Sequence, residues 1–234
     1  MKLSVIIPIL NEEENLPNTL AKLKKHQCEI IVVDGGSEDA SPQIARDHGC
    51  SLLTSAPGRA GQMNLGAGIA GGDTLLFLHG DTLVPNDFAD RIAECLTDPA
   101  VALGSFSLGI KSSSKKIALV AYLANLRSKL FHLPYGDQGL FLRKDTFIAA
   151  GGFPETPIME DFIFVRTLAK YGLIRILPQR VITSARRWQN IGVIRTTLIN
   201  QAIVAGYLLG ISPSTLARWY RRNRGVQTRN TLEK

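Results

Sequence analysis

The sequence predicts an α/β fold with a mostly parallel central sheet and helices on both of its faces. Over residues 1–85, segments with strand character alternate with segments with helix character. The strand segments Leu3–Ile9 and Glu29–Asp34 are apolar almost throughout, which is typical of parallel strands covered on both sides. A hydrophobic share of 45% and a charged share of 20% argue against a disordered or fibrous chain.

The first half of the chain has a Rossmann-like order of elements. After the strand at 3–9, Asn11 is predicted to cap a helix whose first turn holds the acidic residues 12–14. Ser41 and Pro42 open a second helix, because proline is favoured in the first helical turn. This half is completed by a short strand at 51–54, a glycine and proline loop at 56–61, a helix at 62–70 and a strand at 73–78.

The pattern of elements changes after residue 85. We predict a helix at 86–96, an alternating strand at 101–110, a long basic helix at 112–131, a strand at 139–143, a helix at 160–171 and a strand at 173–177. The remainder is predicted to be helical and basic. Because no internal repeat and no linker divides the chain, one mixed domain is expected.

Charge is distributed unevenly along the chain. Residues 1–110 contain 7 Lys and Arg against 14 Asp and Glu, whereas residues 111–234 contain 20 against 6, a net charge of +14. The positive field of the second half favours partners that carry phosphate, on a nucleotide, a lipid or a nucleic acid.

Two apolar stretches, at 117–126 and 198–211, are too short or too interrupted to span a bilayer, which takes about 20 apolar residues. Both are flanked by lysines or arginines. Two interpretations follow. Either the helices pack on the core and leave their lysines and arginines in solvent, or they contact the surface of an anionic membrane. Met1 and Lys2 directly precede a strand, and the three cysteines form no C-x-x-C pair; a cytoplasmic location is therefore expected.

Polar residues stand at the ends of the first four predicted strands. They are Asn11 with Glu12, then Asp34, then Gly58 with Arg59, and finally His79, Gly80 and Asp81. In an open parallel sheet, ligands bind outside the carboxyl ends of the strands.

No G-x-G-x-x-G or G-x-x-x-x-G-K-[ST] motif is present, which disfavours a dinucleotide dehydrogenase and a P-loop phosphohydrolase. Carboxylates at this edge suit Mg²⁺ or Mn²⁺ that bridges an aspartate to a nucleotide diphosphate.

Several segments, in a fixed order, resemble the family 2 inverting glycosyltransferases, which have the GT-A nucleotide-sugar fold. The matching segments are 4–8 with 11–12, 32–39, 58–59 with 64–66, 72–85, 136–139, 151–154 and 160–161. The similarity extends to about residue 188 and is closest to a small bacterial subgroup. It implies a nucleotide-sugar-binding half at 1–110, an acceptor and catalytic half at 111–190, and a basic helical extension at 191–234.

On the donor side, the resemblance implies that seven residues hold the nucleotide: Pro8, Glu12, Asp34, Arg59, Asn64, Gly80 and Asp81. Asp81 is also implied as the ligand of a divalent metal, Mn²⁺ or Mg²⁺, on the diphosphate. The family's usual D-x-D element reads His79–Gly80–Asp81 here. Three roles therefore stay open for His79: a second metal ligand, a direct donor to phosphate, or a packed side chain.

The resemblance also implies the catalytic carboxylates. Asp161, with Glu160 beside it, is implied to take the proton of the acceptor hydroxyl as that oxygen attacks the anomeric carbon. The residues Gly136, Asp137 and Gln138 are implied to line the acceptor side.

A second acceptor-side element is Arg186, Arg187 and Trp188, which resembles the family's Q-x-x-R-W motif with Ser184 in place of the glutamine. In that motif, arginines neutralise charge on the leaving diphosphate and tryptophan stacks on a sugar face. The missing glutamine, and the lack of a spanning segment, favour transfer of one sugar per encounter over processive synthesis.

The leading hypothesis is therefore a metal-dependent inverting glycosyltransferase that moves one sugar, from a UDP-sugar by preference, to a hydroxyl acceptor. A basic, apolar second half suggests that this acceptor is lipid-linked and met at the inner face of the plasma membrane. One alternative is a sugar nucleotidyltransferase, although the acidic segment 12–14 would repel a triphosphate. The other is a nucleic-acid-binding module, which the low aromatic share of 7% disfavours; no nucleic-acid partner is expected.

Overall fold

The computed structural model describes residues 1–224, which form eight strands, ten α-helices and one short 3-10 turn. The strands are β1 Leu3–Ile9, β2 Glu29–Asp34, β3 Ser51–Thr54, β4 Thr74–Phe77, β5 Thr82–Leu83, β6 Val101–Lys111, β7 Leu140–Arg143 and β8 Leu173–Ser184. The helices are α1 Leu16–Leu23, α2 Ser41–Asp47, α3 Arg59–Ile69, α4 Phe88–Cys95, α5 Lys115–Phe131, α6 Lys144–Ala149, α7 Glu160–Leu168, α8 Arg186–Ile191, α9 Val193–Leu208 and α10 Pro213–Arg224. The 3-10 turn is Gly136–Gln138.

All eight strands belong to one sheet in the order β3-β2-β1-β4-β7-β6-β8-β5. Strands β1 to β4 are mutually parallel, and β6 runs parallel to β8. Strand β7 lies antiparallel between β4 and β6, and β5 pairs antiparallel with β8. The prediction of a mostly parallel sheet is confirmed.

Both faces of this sheet are covered. Along β1, Val5 and Ile7 belong to one apolar core and Ile6, between them, belongs to the other. Successive side chains of a strand point to opposite faces, so β1 is buried on both sides. This burial explains why its sequence is a continuous apolar run.

Helix α3 holds the ends of β1 and β2 together. A Cβ added at Gly66 would lie 2.6 Å from Ile6 Cγ2, so the helix lies this close to the sheet only because the residue is glycine. The buried amide of Gln62 donates to the carbonyls of Ile9 at 2.8 Å and Val33 at 2.7 Å. The carboxyl ends of the first two strands are thereby fixed relative to each other.

The predicted helix start at Asn11 is wrong. Asn11 takes the left-handed conformation, with φ 55°, and helix α1 begins only at Leu16, with Pro17 in its first turn. The residues 12–14 lie in the connection before the helix. Glu12 is thus part of a loop at the end of β1, where its side chain faces the site.

Three further predictions of elements need correction. Helix α3 begins at Arg59, inside the predicted loop 56–61. Strand β6 is buried over its first nine residues rather than alternating, because helices cover both of its faces. Strand β8 continues to Ser184, seven residues beyond the predicted end at 177.

The basic helices at the C-terminal end are only partly packed. Helices α9 and α10 contribute Ile203 and Leu216 to a small core with Met159 and Phe162. Helix α5, in contrast, buries only Ile117 and Ser128 among its 17 residues. The interpretation of α5 as a helix packed on the core is therefore wrong for most of its apolar side chains.

No helix within residues 1–224 is both long enough and apolar enough to cross a membrane. Residues 225–234 of the predicted extension 191–234 lie outside the described residues.

Candidate active site

The carboxyl ends of β1, β4 and β8 meet at one edge of the sheet. A Cβ added at Gly80 would lie 3.4 Å from Glu12 Cγ, so the loops after β1 and β4 are in contact. Arg186, directly after β8, donates from Nη2 to Glu12 Oε1 at 2.5 Å. Two residues 174 positions apart in the sequence are thus joined by a charge-assisted hydrogen bond.

The carboxylate of Asp34, at the end of β2, is buried and oriented by the turn that follows it. It accepts hydrogen bonds from the N–H groups of Gly36 and Ser37 at 3.2 and 3.1 Å and from Ser37 Oγ at 2.6 Å. Pro8 lies in the buried part of β1, paired with Val33. Both predicted donor residues are therefore held rigidly beside the site.

Asp81 is anchored through one of its two oxygens. Thr82 Oγ1 and Thr183 Oγ1 each donate to Asp81 Oδ1 at 3.2 Å. Burial raises the pKa of Glu12, Arg186 opposes that rise, and the negative charge of Asp81 adds to it. Asp81 and Glu12 therefore share one electrostatic environment, in which a bound cation would relieve their repulsion.

His79 and Asp161 both lie against the same side of Gly136. A Cβ added at Gly136 would lie 3.3 Å from His79 Nε2 and 3.3 Å from Asp161 Oδ2. The Gly136 N–H donates to Asp161 Oδ2 at 2.8 Å, which fixes the carboxylate. Burial, with the nearby charge of Arg59, lowers the pKa of His79 to about 3, so its imidazole is neutral at pH 7.

Helix α7 begins at the two predicted catalytic carboxylates. Met159, directly before it, is buried and takes the left-handed conformation with φ 70°, which is unusual for a residue with a side chain. Glu160 Oε1 lies 4.0 Å from Arg59 Nη1. Burial and the charge of Asp161 raise the pKa of Glu160, and Arg59 opposes that rise.

Two predicted ligand-binding amides instead bond to the backbone. Asn64 donates to the Phe153 carbonyl and accepts from the Phe153 N–H, each at 2.8 Å. Gln138 is fully buried, accepts from Ser128 Oγ at 2.7 Å and donates to the Phe106 carbonyl at 3.0 Å. In the structure these residues position the loops around the site.

Two other residues predicted on the acceptor side, Asp137 and Trp188, help to line a cavity of about 200 Å³. The backbone of Arg187 belongs to α8, but its side chain lies outside the described part of the structure.

The sequence pattern does not single out Thr183, although its hydroxyl orients Asp81. Only the register of β5 against β8, which pairs Thr82 with Thr183, reveals this contact.

The decisive comparison is with models of protein families. Residues 4–150 match the model described as glycosyl transferase family 2. The chain belongs to glycosyl transferase family 2. Membership supports a nucleotide-sugar-dependent glycosyltransferase over the nucleotidyltransferase and nucleic-acid-binding alternatives.

Curated relatives of the chain include enzymes named after lipid phosphates. The mouse dolichyl-phosphate beta-glucosyltransferase is 30% identical over 117 residues, 42% of this chain and 36% of that protein. An undecaprenyl-phosphate 4-deoxy-4-formamido-L-arabinose transferase of Photorhabdus laumondii is 31% identical over 162 residues, 61% of this chain and 48% of that protein. The chain thus spans half or less of the length of these two relatives.

Solved structures with a similar fold are GT-A glycosyltransferases. A mannosyltransferase from Pyrobaculum calidifontis, in complex with GDP-Man and Mn²⁺, has a TM-score of 0.66 at 20% identity, over 94% of this chain and 68% of that one. Residues 1–349 of S. aureus TarS, in complex with UDP-GlcNAc, have a TM-score of 0.62 at 18% identity, over 79% of this chain and 58% of that one. The fold of this family 2 member is therefore of the GT-A type.

Proposed function

We propose that this protein transfers one sugar from a nucleotide-diphospho-sugar, with a UDP-sugar as the first candidate, to a hydroxyl acceptor with inversion at the anomeric carbon. The observation that carries the proposal is the arrangement of Asp161, whose carboxylate is fixed by the Gly136 N–H at 2.8 Å. It faces the same edge of the sheet as Glu12 and Asp81. This arrangement supports a proton acceptor that acts beside a donor-binding edge.

In the proposed reaction, the acceptor oxygen forms a bond to the anomeric carbon while its proton passes to Asp161. The bond between that carbon and the diphosphate oxygen breaks, and the nucleoside diphosphate leaves with the electron pair. Arg59 and Arg186 supply positive charge at this edge, which stabilises the charge that develops on the diphosphate. Asp137 and Trp188 lie on the acceptor side.

The donor set at this edge fits a divalent metal held jointly by protein and diphosphate. Asp81 Oδ1 accepts both threonine hydrogen bonds, while Oδ2 has no such partner among the described residues. Within residues 1–224 no group of three or more His, Cys, Asp or Glu side chains could hold a metal. Hard cations such as Mg²⁺ need only one or two carboxylates when phosphate oxygens complete the shell. Asp81 would hold Mn²⁺ or Mg²⁺, with neutral His79 beside it, and the metal would neutralise diphosphate charge.

The acceptor side supports a lipid-linked acceptor met at the inner face of the plasma membrane. Helix α5 exposes six large apolar or aromatic side chains: Leu119, Tyr122, Leu123, Leu126, Leu130 and Phe131. Lys115, Lys116 and Lys129 on the same helix are also exposed. We call these nine residues the α5 surface. Exposed apolar and basic side chains on one helix suit an anionic bilayer, and the names of two relatives specify lipid phosphates.

The donor assignment is tested by calorimetric titration of the protein with UDP, GDP and dTDP, each with and without Mn²⁺. We expect one nucleotide to bind and the metal to strengthen its binding at least tenfold, because the cation relieves the repulsion between diphosphate and the carboxylates. The preferred nucleotide identifies the base of the donor. Absence of binding by all three nucleotides with Mn²⁺ would contradict the proposed function.

The membrane assignment is tested by flotation with liposomes of anionic or neutral lipid. We expect the protein to float with anionic liposomes, and the double variant Leu130→Glu, Phe131→Glu to lower the bound fraction about tenfold or more, since two exposed apolar side chains that would insert into the bilayer are replaced by charges. Ile148→Glu is the matched control, because Ile148 is as exposed as Leu130, at 63%, but lies on α6. Equal flotation of the double variant and the wild type would contradict contact through the α5 surface.

A further inference from the structure

The proposed catalytic carboxylate is held through both of its oxygens. Asp161 Oδ2 accepts from the Gly136 N–H at 2.8 Å, and Asp161 Oδ1 accepts from the Phe162 N–H at 2.7 Å. Phe162 belongs to α7 itself, whereas Gly136 belongs to the 3-10 turn that precedes β7. The orientation of the carboxylate therefore depends on the contacts that hold this turn in place.

One set of contacts joins the turn to α5 through buried polar groups. Ser128 Oγ, on α5, donates to Gln138 Oε1 at 2.7 Å. The same oxygen accepts from the Tyr135 N–H at 3.2 Å, and Gln138 Nε2 donates to the Phe106 carbonyl at 3.0 Å. Ser128 and Gln138 are both fully buried, where a hydrogen bond is not weakened by competing water. The Ser128 hydroxyl thus helps to fix the amide that holds the start of the turn.

A second set of contacts runs through aromatic rings. The guanidinium carbon of Arg127 lies 3.4 Å from the centre of the Tyr135 ring, which is a cation–π contact. The Tyr135 ring packs edge-on against Phe162, with 6.4 Å between the ring centres. Burial raises the pKa of Tyr135, Arg127 opposes that rise, and the charge of Asp161 adds to it. Tyr135 therefore lies between α5 and the start of α7, within electrostatic reach of Asp161.

Helix α5 is attached to the sheet at a separate point. The side chain of Asn125 accepts from the Leu108 N–H at 2.7 Å and donates to the Leu108 carbonyl at 2.8 Å. These two hydrogen bonds fasten α5 to β6 and do not involve the turn Gly136–Gln138. The attachment of α5 to the sheet and its contacts with the turn can therefore be removed independently.

We infer that Arg127 and Ser128 are positioning residues, which hold the Asp161 carboxylate in place from helix α5. They act through Tyr135 and Gln138 and do not touch the reacting atoms. The inference rests on the proposed function, because Asp161 is the proton acceptor of that reaction. It also gives α5 two roles, since the outer side chains of the same helix form the α5 surface.

The first test is the exchange of the Gly136 amide hydrogen with solvent, measured by nuclear magnetic resonance. We expect Ser128→Ala and Arg127→Met each to raise this exchange rate about tenfold, because each removes a contact that keeps the turn closed. Asn125→Ala is the matched control. It removes hydrogen bonds of the same helix that do not involve the turn, so it should change the rate less than about threefold.

The second test separates positioning of the base from general support of the fold. With a lipid extract as the source of acceptor, Ser128→Ala should lower kcat for nucleoside diphosphate release about tenfold and change the KM for the donor less than about threefold. In the Asp161→Asn background, the same substitution should lower the remaining rate less than about twofold, because the group that Ser128 positions can no longer take a proton. Equal losses in the two backgrounds overturn the inference.

Titration with nucleotide and Mn²⁺ shows which proposal has failed. Each variant should bind nucleotide as the wild type does, which demonstrates that it is folded. If the wild type binds no nucleotide, the proposed function is wrong and this inference falls with it. If nucleotide binding and transfer are intact but Gly136 exchanges in both variants as in the wild type, or as fast in Asn125→Ala as in the variants, only this inference is wrong.

Discussion

Asp161→Asn is expected to lower the rate of sugar transfer about 10²–10⁴-fold, the usual contribution of a positioned general base. Asparagine keeps an oxygen that accepts from the Gly136 N–H, a bond of 2.8 Å in the wild type, so the loop should stay in place. What is lost is the ability to take a proton. The measurement is the initial rate of nucleoside diphosphate release from the donor, with a lipid extract as the source of acceptor.

Donor affinity is the control for this variant. Because Asp161 is proposed to act on the acceptor and not on the nucleotide, the affinity for nucleotide with Mn²⁺ should change less than about threefold, and the loss should appear in kcat. Glu160→Gln, one position away, should have a smaller effect on kcat, because Glu160 lies near Arg59. A rate that falls less than about tenfold would contradict proton transfer to Asp161, as expected if the attacking oxygen belongs to a phosphate that is already ionised.

Asp81→Asn is expected to abolish the part of nucleotide binding that depends on Mn²⁺, a loss of about 100-fold or more. The magnitude follows because even residues that only orient a metal ligand cost about 10–100-fold in metal affinity. The variant keeps the oxygen that accepts from Thr82 and Thr183 but loses its negative charge. Calorimetric titration with and without Mn²⁺ measures the change.

Two further variants check the assignment to Asp81. Thr183→Val removes one hydroxyl that orients the carboxylate, so it should weaken metal-dependent binding about tenfold. Asp73→Asn is the matched control, because Asp73 directly precedes β4 at the opposite edge of the sheet and accepts from the Lys2 N–H. Unchanged binding with Mn²⁺ in Asp81→Asn would show that the metal is held elsewhere.

Much of the fold could be predicted because its first strands are buried on both faces. Such strands are apolar runs with clear ends, and β1, β2 and β3 have the predicted bounds. Strand β5 has only two residues, which is too short to leave a pattern. Strand β8 extends past the predicted end at 177 because its long partner β6 continues the pairing, across an irregularity at Pro178, to Ser184.

The site was predictable where it depends on strand ends and less so where it depends on distant contacts. The parallel strands bring Glu12, Gly80 and Asp81 to one edge, as general rules require. Asn11, in contrast, resembles a helix cap because asparagine followed by acidic residues is a common helix start, and only its positive φ shows otherwise. The backbone bonds of Asn64 and Gln138 join residues up to 89 positions apart, which local patterns do not reveal.

The position of β6 in the sheet has a consequence during synthesis of the chain. Its nine buried residues pair along their length with β8, which follows about 60 residues later. At a ribosomal rate of about 5–20 residues per second, β6 waits roughly 3–12 s for that partner. During this interval β6 lacks the partner that covers one of its edges, and an uncovered apolar strand is prone to pair with other chains.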